Sequence, residues 1–286
     1  METQDQVKEL VRQKYSEIAL QNKQTNESSC CGATAACCGG TDAYTIMADD
    51  YSKLEGYNPD ADLGLGCGLP TQFAKIKKGD VVIDLGSGAG NDAFIARHET
   101  GETGKVIGID FTPAMIERAR KNAEVRGFNN VEFRQGDIEN MPVTSNKADV
   151  IVSNCVLNLV PNKHKVFSEI YRVLKPGGHF SISDIVLEGE LPEKWKQVAE
   201  LYAGCISGAI QKKEYFDIIE EAGFANITLQ KEKDILIPNE ILTDYLTAEE
   251  IKQFEQSNIN IQSITVYAEK AAKDDRKCCE PGSSCC

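Results

Sequence analysis

The sequence predicts an α/β protein, with a mostly parallel sheet, helices on both faces, and an α+β extension at its C-terminal side. Three observations carry this prediction. From Val81 onward short β-rich runs alternate with helical segments, a glycine-rich turn joins the first run to the first helix, and Pro176-Gly177-Gly178 separates the last of these helices from another apolar run. With 286 residues, 41% hydrophobic and 26% charged, the chain can bury a full core without disulfides or metal.

Taken in order, Val7, Leu10, Val11, Ile18 and Ala19 recur at helical spacing and predict an amphipathic helix ending near Gln21. Residues 27–41, ESSCCGATAACCGGT, have the composition of a mobile loop. Strands are expected over 81–85, 105–110, 131–135, 148–153 and 179–184. Helices are expected over 92–98, 113–126 and 163–174, with Pro113 suited to a first helical turn. Farther on, helices over 193–203 and 212–222 and strands over 226–232 and 261–269 extend the edge of the sheet. The ending KAAKDDRKCCEPGSSCC reads as a flexible tail. The chain thus divides into residues 1–45, a helix and cysteine-rich segment; 46–190, a ligand-binding domain; 191–270, a completing region; and 271–286, the tail.

The balance of 31 Lys plus Arg against 44 Asp plus Glu, a net charge of -13, argues against nucleic acid or an anionic membrane as partner. No export signal or long apolar run is recognisable, so a cytoplasmic, monomeric protein is expected. Its 11 cysteines then read as thiols for chemistry rather than as a disulfide framework.

The stretch from Val81 to Gly90 places Gly86, Gly88 and Gly90 between a buried strand and a helix, where backbone can approach a ligand closely. The dinucleotide fingerprint wants glycine where Asn91 stands, which disfavours a phosphate cradle. Asp110, twenty residues past Gly90 at the end of the second strand, is placed to accept hydrogen bonds from both ribose hydroxyls. Alone, the glycines could be a tight turn and Asp137 an ordinary turn carboxylate. Together DLGSGAG, Asp110, GDIENMP and LKPGG resemble the class I S-adenosylmethionine-dependent methyltransferases. That resemblance implies a Rossmann-like seven-stranded sheet with its last strand antiparallel, and S-adenosylmethionine as cofactor. It implies Asp84, Gly86, Ser87, Gly88, Gly90, Asp110, Met115, Asp137, Ile138 and Asn154 as the positions that hold it.

Three cysteines stand singly in structured sequence: Cys67 in GLGCGLP, Cys155 in SNCVLNL and Cys205 in YAGCISG. Cys155 follows the fourth strand, where ligands bind in open α/β sheets. Each could be a small buried hydrophobe, and a zinc site is the next reading, yet CxxC spacing is absent and His98, His164 and His179 pair with none of them. Three soft thiolates suit a trivalent thiophilic centre with a lone pair. With the cofactor motifs, GLGCGLP, SNCVLNL and YAGC resemble the arsenite S-adenosylmethionine methyltransferase family. The resemblance implies Cys67, Cys155 and Cys205 as As(III) ligands and a fourth, N-terminal cysteine as redox partner. Cys38 is the first choice among Cys30, Cys31, Cys37 and Cys38.

The substrate implied is arsenite or its thiol conjugates, with thioredoxin or glutathione as reductant. Cys278, Cys279, Cys285 and Cys286 resemble tail extensions that can capture metalloid or be dispensable. Two other readings stay open: a C-methyltransferase of a quinone- or sterol-like molecule, and a thiol-rich metalloid buffer without catalysis.

Overall fold

The computed structural model describes residues 4–21, 49–192, 194, 208–236, 243, 246–257 and 259–272. Four short apolar runs form β1 (Val81–Leu85), β2 (Lys105–Asp110), β3 (Val131–Gln135) and β4 (Ala148–Asn154). They are followed by the long β5 (Leu174–Glu188), β6 (Phe224–Asp234) and β7 (Asn260–Lys270). The order across the sheet is β3-β2-β1-β4-β5-β7-β6, with β1 to β5 parallel and β7 antiparallel to both β5 and β6. Strand order reverses between β1 and β4, and in such sheets the crevice for a ligand opens beyond the carboxyl ends of those two strands.

The helices are α1 (Gln4–Ile18), α2 (Pro70–Phe73), α3 (Asn91–Thr100), α4 (Pro113–Val125), α5 (Lys163–Val173), α6 (Lys212–Glu221) and α7 (Ala248–Glu255). Side chains alternate across a strand, so each run feeds two apolar layers. Ile83 and Leu85 pack with Phe167, Phe180 and Tyr215 on one face, and Val82 packs with Phe94, Met115 and Phe133 on the other. Pro113 opens α4, and the Asn162 side chain caps α5 by accepting the Lys165 N–H at 3.0 Å.

The expected strands and helices of the core are present, with one difference of kind. Pro176-Gly177-Gly178 does not end a helix ahead of a separate strand, because β5 already begins at Leu174. Leu174 pairs with Ala148 and His179 with Val150, so residues 175–178 bulge from a continuing strand. Gly177, at φ 82°, allows that excursion. β6 and β7 outrun their apolar patterns because antiparallel pairing carries them on, and β7 keeps an unbroken register with β5 from Asn260 to Glu269. Apart from Lys194, the expected helix over 193–203, the cysteine-rich segment and the tail beyond residue 272 lie outside the described residues.

Phe180 is fully buried between Phe167 and Phe224, with ring centroids 5.8 and 4.9 Å away. Phe180→Ala is expected to destabilise the fold by about 3–5 kcal/mol, the range for a large aromatic removed from a packed core. Urea unfolding monitored by circular dichroism measures it.

Candidate functional site

In the turn after β1, Gly86, Gly88 and Gly90 have φ of 64, 50 and 101°, a region that favours glycine. Their surroundings differ. A Cβ on Gly86 would overlap Val156, and one on Gly90 would lie 2.9 Å from both the Phe94 and Phe133 rings, whereas one on Gly88 would meet nothing within 4 Å. Gly86 and Gly88 line a cavity at the carboxyl ends of β1 and β4. All the positions expected to hold the cofactor line this cavity except Gly90, which faces the core beneath the turn.

Asp110 braces the turn: one carboxylate oxygen accepts from Gly88 N–H at 3.0 Å and the other from Thr112 N–H at 2.8 Å. Each oxygen retains a lone pair for a further donor. Asp137 accepts from Glu139 N–H at 2.8 Å and pairs with Lys8 of α1 at 2.7 Å, which brings α1 across the cavity mouth. Lys8 also pairs with Glu139. Met115 and Ile138, both buried, supply apolar wall.

Deeper in the cavity the walls are acidic. Asp62, Asp84, Asp92 and Asp110 are all buried and all line it. Burial, reinforced by Asp92 and Asp110, holds the Asp84 carboxyl well above the usual carboxylate range. Burial likewise pushes Asp92 up to about 6, opposed by hydrogen bonds from Asn154 and Tyr51. Among the described residues, Asp84 Oδ2, Ser87 Oγ and Asn91 Oδ1 are buried at this site without a hydrogen-bond partner. Buried polar atoms of that kind call for a ligand with complementary donors. S-adenosylmethionine, with its ammonium, sulfonium charge and ribose hydroxyls, fits this wall, and the open side of Gly88 admits it.

Cys67 and Cys155 are buried, at 1% and 3% exposure, and lie at the same end of the sheet. Asn154, the residue before Cys155, accepts the Cys67 N–H at 3.0 Å. Both thiols are within electrostatic reach of the Tyr215 phenol. Cys155 lines the cavity and has a φ of 60°, a left-handed conformation uncommon for a residue with a Cβ. Cys205 and Cys38 lie outside the described residues. Gly208, three residues after Cys205, packs so tightly on the Asn158 carbonyl that a Cβ would collide, and its own carbonyl accepts from Lys163 Nζ at 2.7 Å.

Sequence reasoning passed over Lys8, Tyr51, Asp62 and Asp92, all of which line the cavity. Asp92, two residues past the last glycine of the turn, carried a signal in its position. Tyr51 and Lys8 carried none, because only tertiary packing brings them to the site.

Two tests follow from this geometry. Gly88→Ala is expected to fold and to lower S-adenosylhomocysteine affinity at least about tenfold, since its methyl enters the cavity, as isothermal titration calorimetry would register. A cationic ligand favours the ionised form of the acidic wall, so S-adenosylmethionine affinity is expected to fall as pH drops through the Asp92 value of about 6. One protonation at one unit below that value costs at most about tenfold, and Asp92→Asn is expected to flatten the profile.

Residues 76–223 match the model of a methyltransferase domain family. An arsenite methyltransferase from Halobacterium salinarum is 36% identical over 281 residues, covering 95% of this chain and 68% of that protein. A second, from Aquipseudomonas alcaligenes, is 32% identical over 246 residues, covering 83% of this chain and 68% of its own length. The X-ray structure of an arsenic(III) S-adenosylmethionine methyltransferase from Chlamydomonas reinhardtii superposes with a TM-score of 0.62 at 31% identity, over 82% of this chain and 75% of that one. With this sheet order, this cavity and a relative 36% identical over 95% of the chain, the protein belongs to the arsenite methyltransferase family.

Proposed function

We propose that this protein transfers a methyl group from S-adenosylmethionine to As(III) held by its own thiolates. The observation that carries this reading is the placement of Cys67 and Cys155 as buried thiols joined through Asn154 at the rim of a cavity suited to that cofactor. Cys205 lies outside the described residues and is assigned as the third ligand on the resemblance of YAGC to the family's pattern.

The cofactor supplies, when bound, a methyl group already activated by its sulfonium charge. The chain's part is to present an electron pair to it. Three thiols replace the three hydroxyls of arsenous acid, each exchange forming one As–S bond and releasing one water. A pyramidal centre with one exposed lone pair results. Cys155 at the cavity wall and Cys67 beside it turn that lone pair towards the cofactor, an orienting role that needs no general base. The acidic wall holds the cationic end of the cofactor, and Asp110 and Asp137 hold its ribose and adenine.

Methylation raises arsenic formally to the pentavalent state. Its return to As(III) takes two electrons, which two cysteine thiolates supply by forming a disulfide. Cys38 and Cys67 are assigned as that pair. Thioredoxin or glutathione then restores the thiols by exchange. Residues 1–45 would carry this redox step, 46–190 the cofactor, 191–270 the third ligand, and 271–286 auxiliary thiols. Among the described residues no helix is long and apolar enough to cross a membrane.

Incubating the protein with arsenite, thiol and S-adenosylmethionine, followed by arsenic speciation, is expected to yield methylated arsenic. Cys155→Ser is expected to abolish that product while S-adenosylhomocysteine still binds. Unchanged turnover in Cys155→Ser would remove it from the ligand set.

A further inference from the structure

The cavity wall contains a polar cluster whose members are hydrogen-bonded to the loop of Cys67. Asn154 stands at its centre. Its Oδ1 accepts from the N–H groups of Cys67 and Gly68 at 3.0 and 3.3 Å, and its Nδ2 donates to the Gly68 carbonyl at 2.9 Å and to Asp92 Oδ2 at 3.2 Å. The Tyr51 hydroxyl is a third acceptor beside Nδ2, sharing its two protons with the Gly68 carbonyl and Asp92. The Tyr51 hydroxyl in turn has the Gly68 carbonyl at 2.9 Å and Asp92 Oδ2 at 3.0 Å as acceptors for its single proton. Only one orientation of the amide satisfies this arrangement, because two backbone N–H groups face one side of it and a carboxylate and a carbonyl face the other. Tyr51 and Asp92 are both buried, at 4% and 9% exposure.

The glycines flanking Cys67 fit the same cluster. A Cβ on Gly66 would lie 2.7 Å from Asn154 Nδ2, and one on Gly68 would lie 2.5 Å from Ser183 Oγ. Ser263 Oγ donates to the Cys67 carbonyl at 2.5 Å from the far side. The loop is therefore pressed between Asn154 on β4 and the hydroxyls of β5 and β7, with every backbone polar group of Cys67 accounted for.

We propose that Tyr51 and Asp92 are positioning residues that act through Asn154 to clamp the Gly66-Cys67-Gly68 loop, so that the Cys67 thiol is presented to arsenic in one fixed place. The proposal rests on the reading of Cys67 as an arsenic ligand. Asp92 is the anchor, since it receives hydrogen bonds from both other side chains and sits on α3, immediately after the cofactor turn. Through it the wall that faces the cofactor and the loop that carries the thiol share one network. Neither Tyr51 nor Asp92 touches the reacting atoms in this role.

The test compares iodoacetamide alkylation of Cys67 and Cys155 in the intact, full-length protein, resolved by peptide mass spectrometry, for wild type, Tyr51→Phe, Asp92→Asn and Asp92→Ala. Tyr51→Phe removes one oxygen atom and keeps the ring, so it serves where an Asp92 variant fails to fold. Cys67 is expected to react at least about tenfold faster in Tyr51→Phe, with Cys155 unchanged, because local opening is released only at the clamped loop. Asp92→Ala is expected to exceed Asp92→Asn, which retains one acceptor. In steady-state assays of Tyr51→Phe the loss is expected to fall on the KM for arsenite more than on kcat, the pattern of weakened capture. Equal acceleration of both cysteines, or an unchanged Cys67 rate, would overturn the clamp. A wild-type protein that makes no methylated arsenic, while its variants still expose Cys67 selectively, would overturn the arsenite reading and leave the clamp standing.

Discussion

The contact between Gly86 and Val156 is the constraint on which the site depends. Gly86 belongs to the turn after β1 and Val156 to the turn after β4, and no side chain fits between them. The parallel pairing of β1 with β4 brings the two turns level, Leu85 lying opposite Ser153. Because the gap is closed by a valine rather than left for a Cβ, the cofactor turn and the residue after Cys155 keep a fixed separation. In the proposed reaction the methyl donor and an arsenic atom held by thiolate have to be aligned to within a few tenths of an ångström, so a rigid joint between their turns matters more here than at other places in the sheet. The same joint explains why the glycine motif and the SNCVLNL motif, 69 residues apart at Gly86 and Cys155, form one site.

Around this joint the dominant force is electrostatic and unfavourable to the protein alone. Asp62, Asp84, Asp92 and Asp110 are buried at one wall, and desolvation raises the carboxyls of Asp84, Asp92 and Asp110. Such a wall is costly to fold, and its cost is offset when a cation replaces the missing solvent. A hydrophobic wall would hold S-adenosylmethionine and its demethylated product about equally. Carboxylates favour the sulfonium form, and that difference tends to expel the neutral product. Lys8 pairs with Asp137 and Glu139 rather than with any of these four carboxylates, so α1 reaches the cavity without neutralising the acidic wall.

The parts of this structure readable in the sequence are those specified by local pattern. Val81 to Leu85, Gly86 to Gly90 and Asp110 are a strand, a turn and a strand end within thirty residues, and their apolar runs and glycines state their conformation directly. Cys67 and Cys155 stood out in the sequence because single cysteines flanked by glycine or by a strand end are unusual. Tyr51 and Asp62 did not, since a tyrosine and an aspartate in a loop have no pattern until the fold buries them. Asn154 was legible as a cavity residue, but its hydrogen bonds to the Cys67 loop were not, because they depend on a partner 87 residues away. The bulge over 175–178 was hidden for a related reason. Pro-Gly-Gly ordinarily ends an element, and only the register with β4 shows that the strand resumes.

The left-handed conformation of Cys155 connects these observations. In a regular strand Asn154 and Val156 would point to one face and Cys155 to the other. At Cys155 the chain has a φ of 60°, which breaks that alternation and sends three successive side chains to three destinations. Asn154 goes to the Cys67 loop, Val156 to the underside of Gly86, and Cys155 remains at the cavity wall. A left-handed residue with a Cβ costs on the order of 1–2 kcal/mol, and glycine would relieve it. Glycine has no thiol. The strain is held by the Cys155 N–H donating to the Ser183 carbonyl at 2.8 Å and by the packing of Val156, so the neighbours that need the turn are the ones that maintain it.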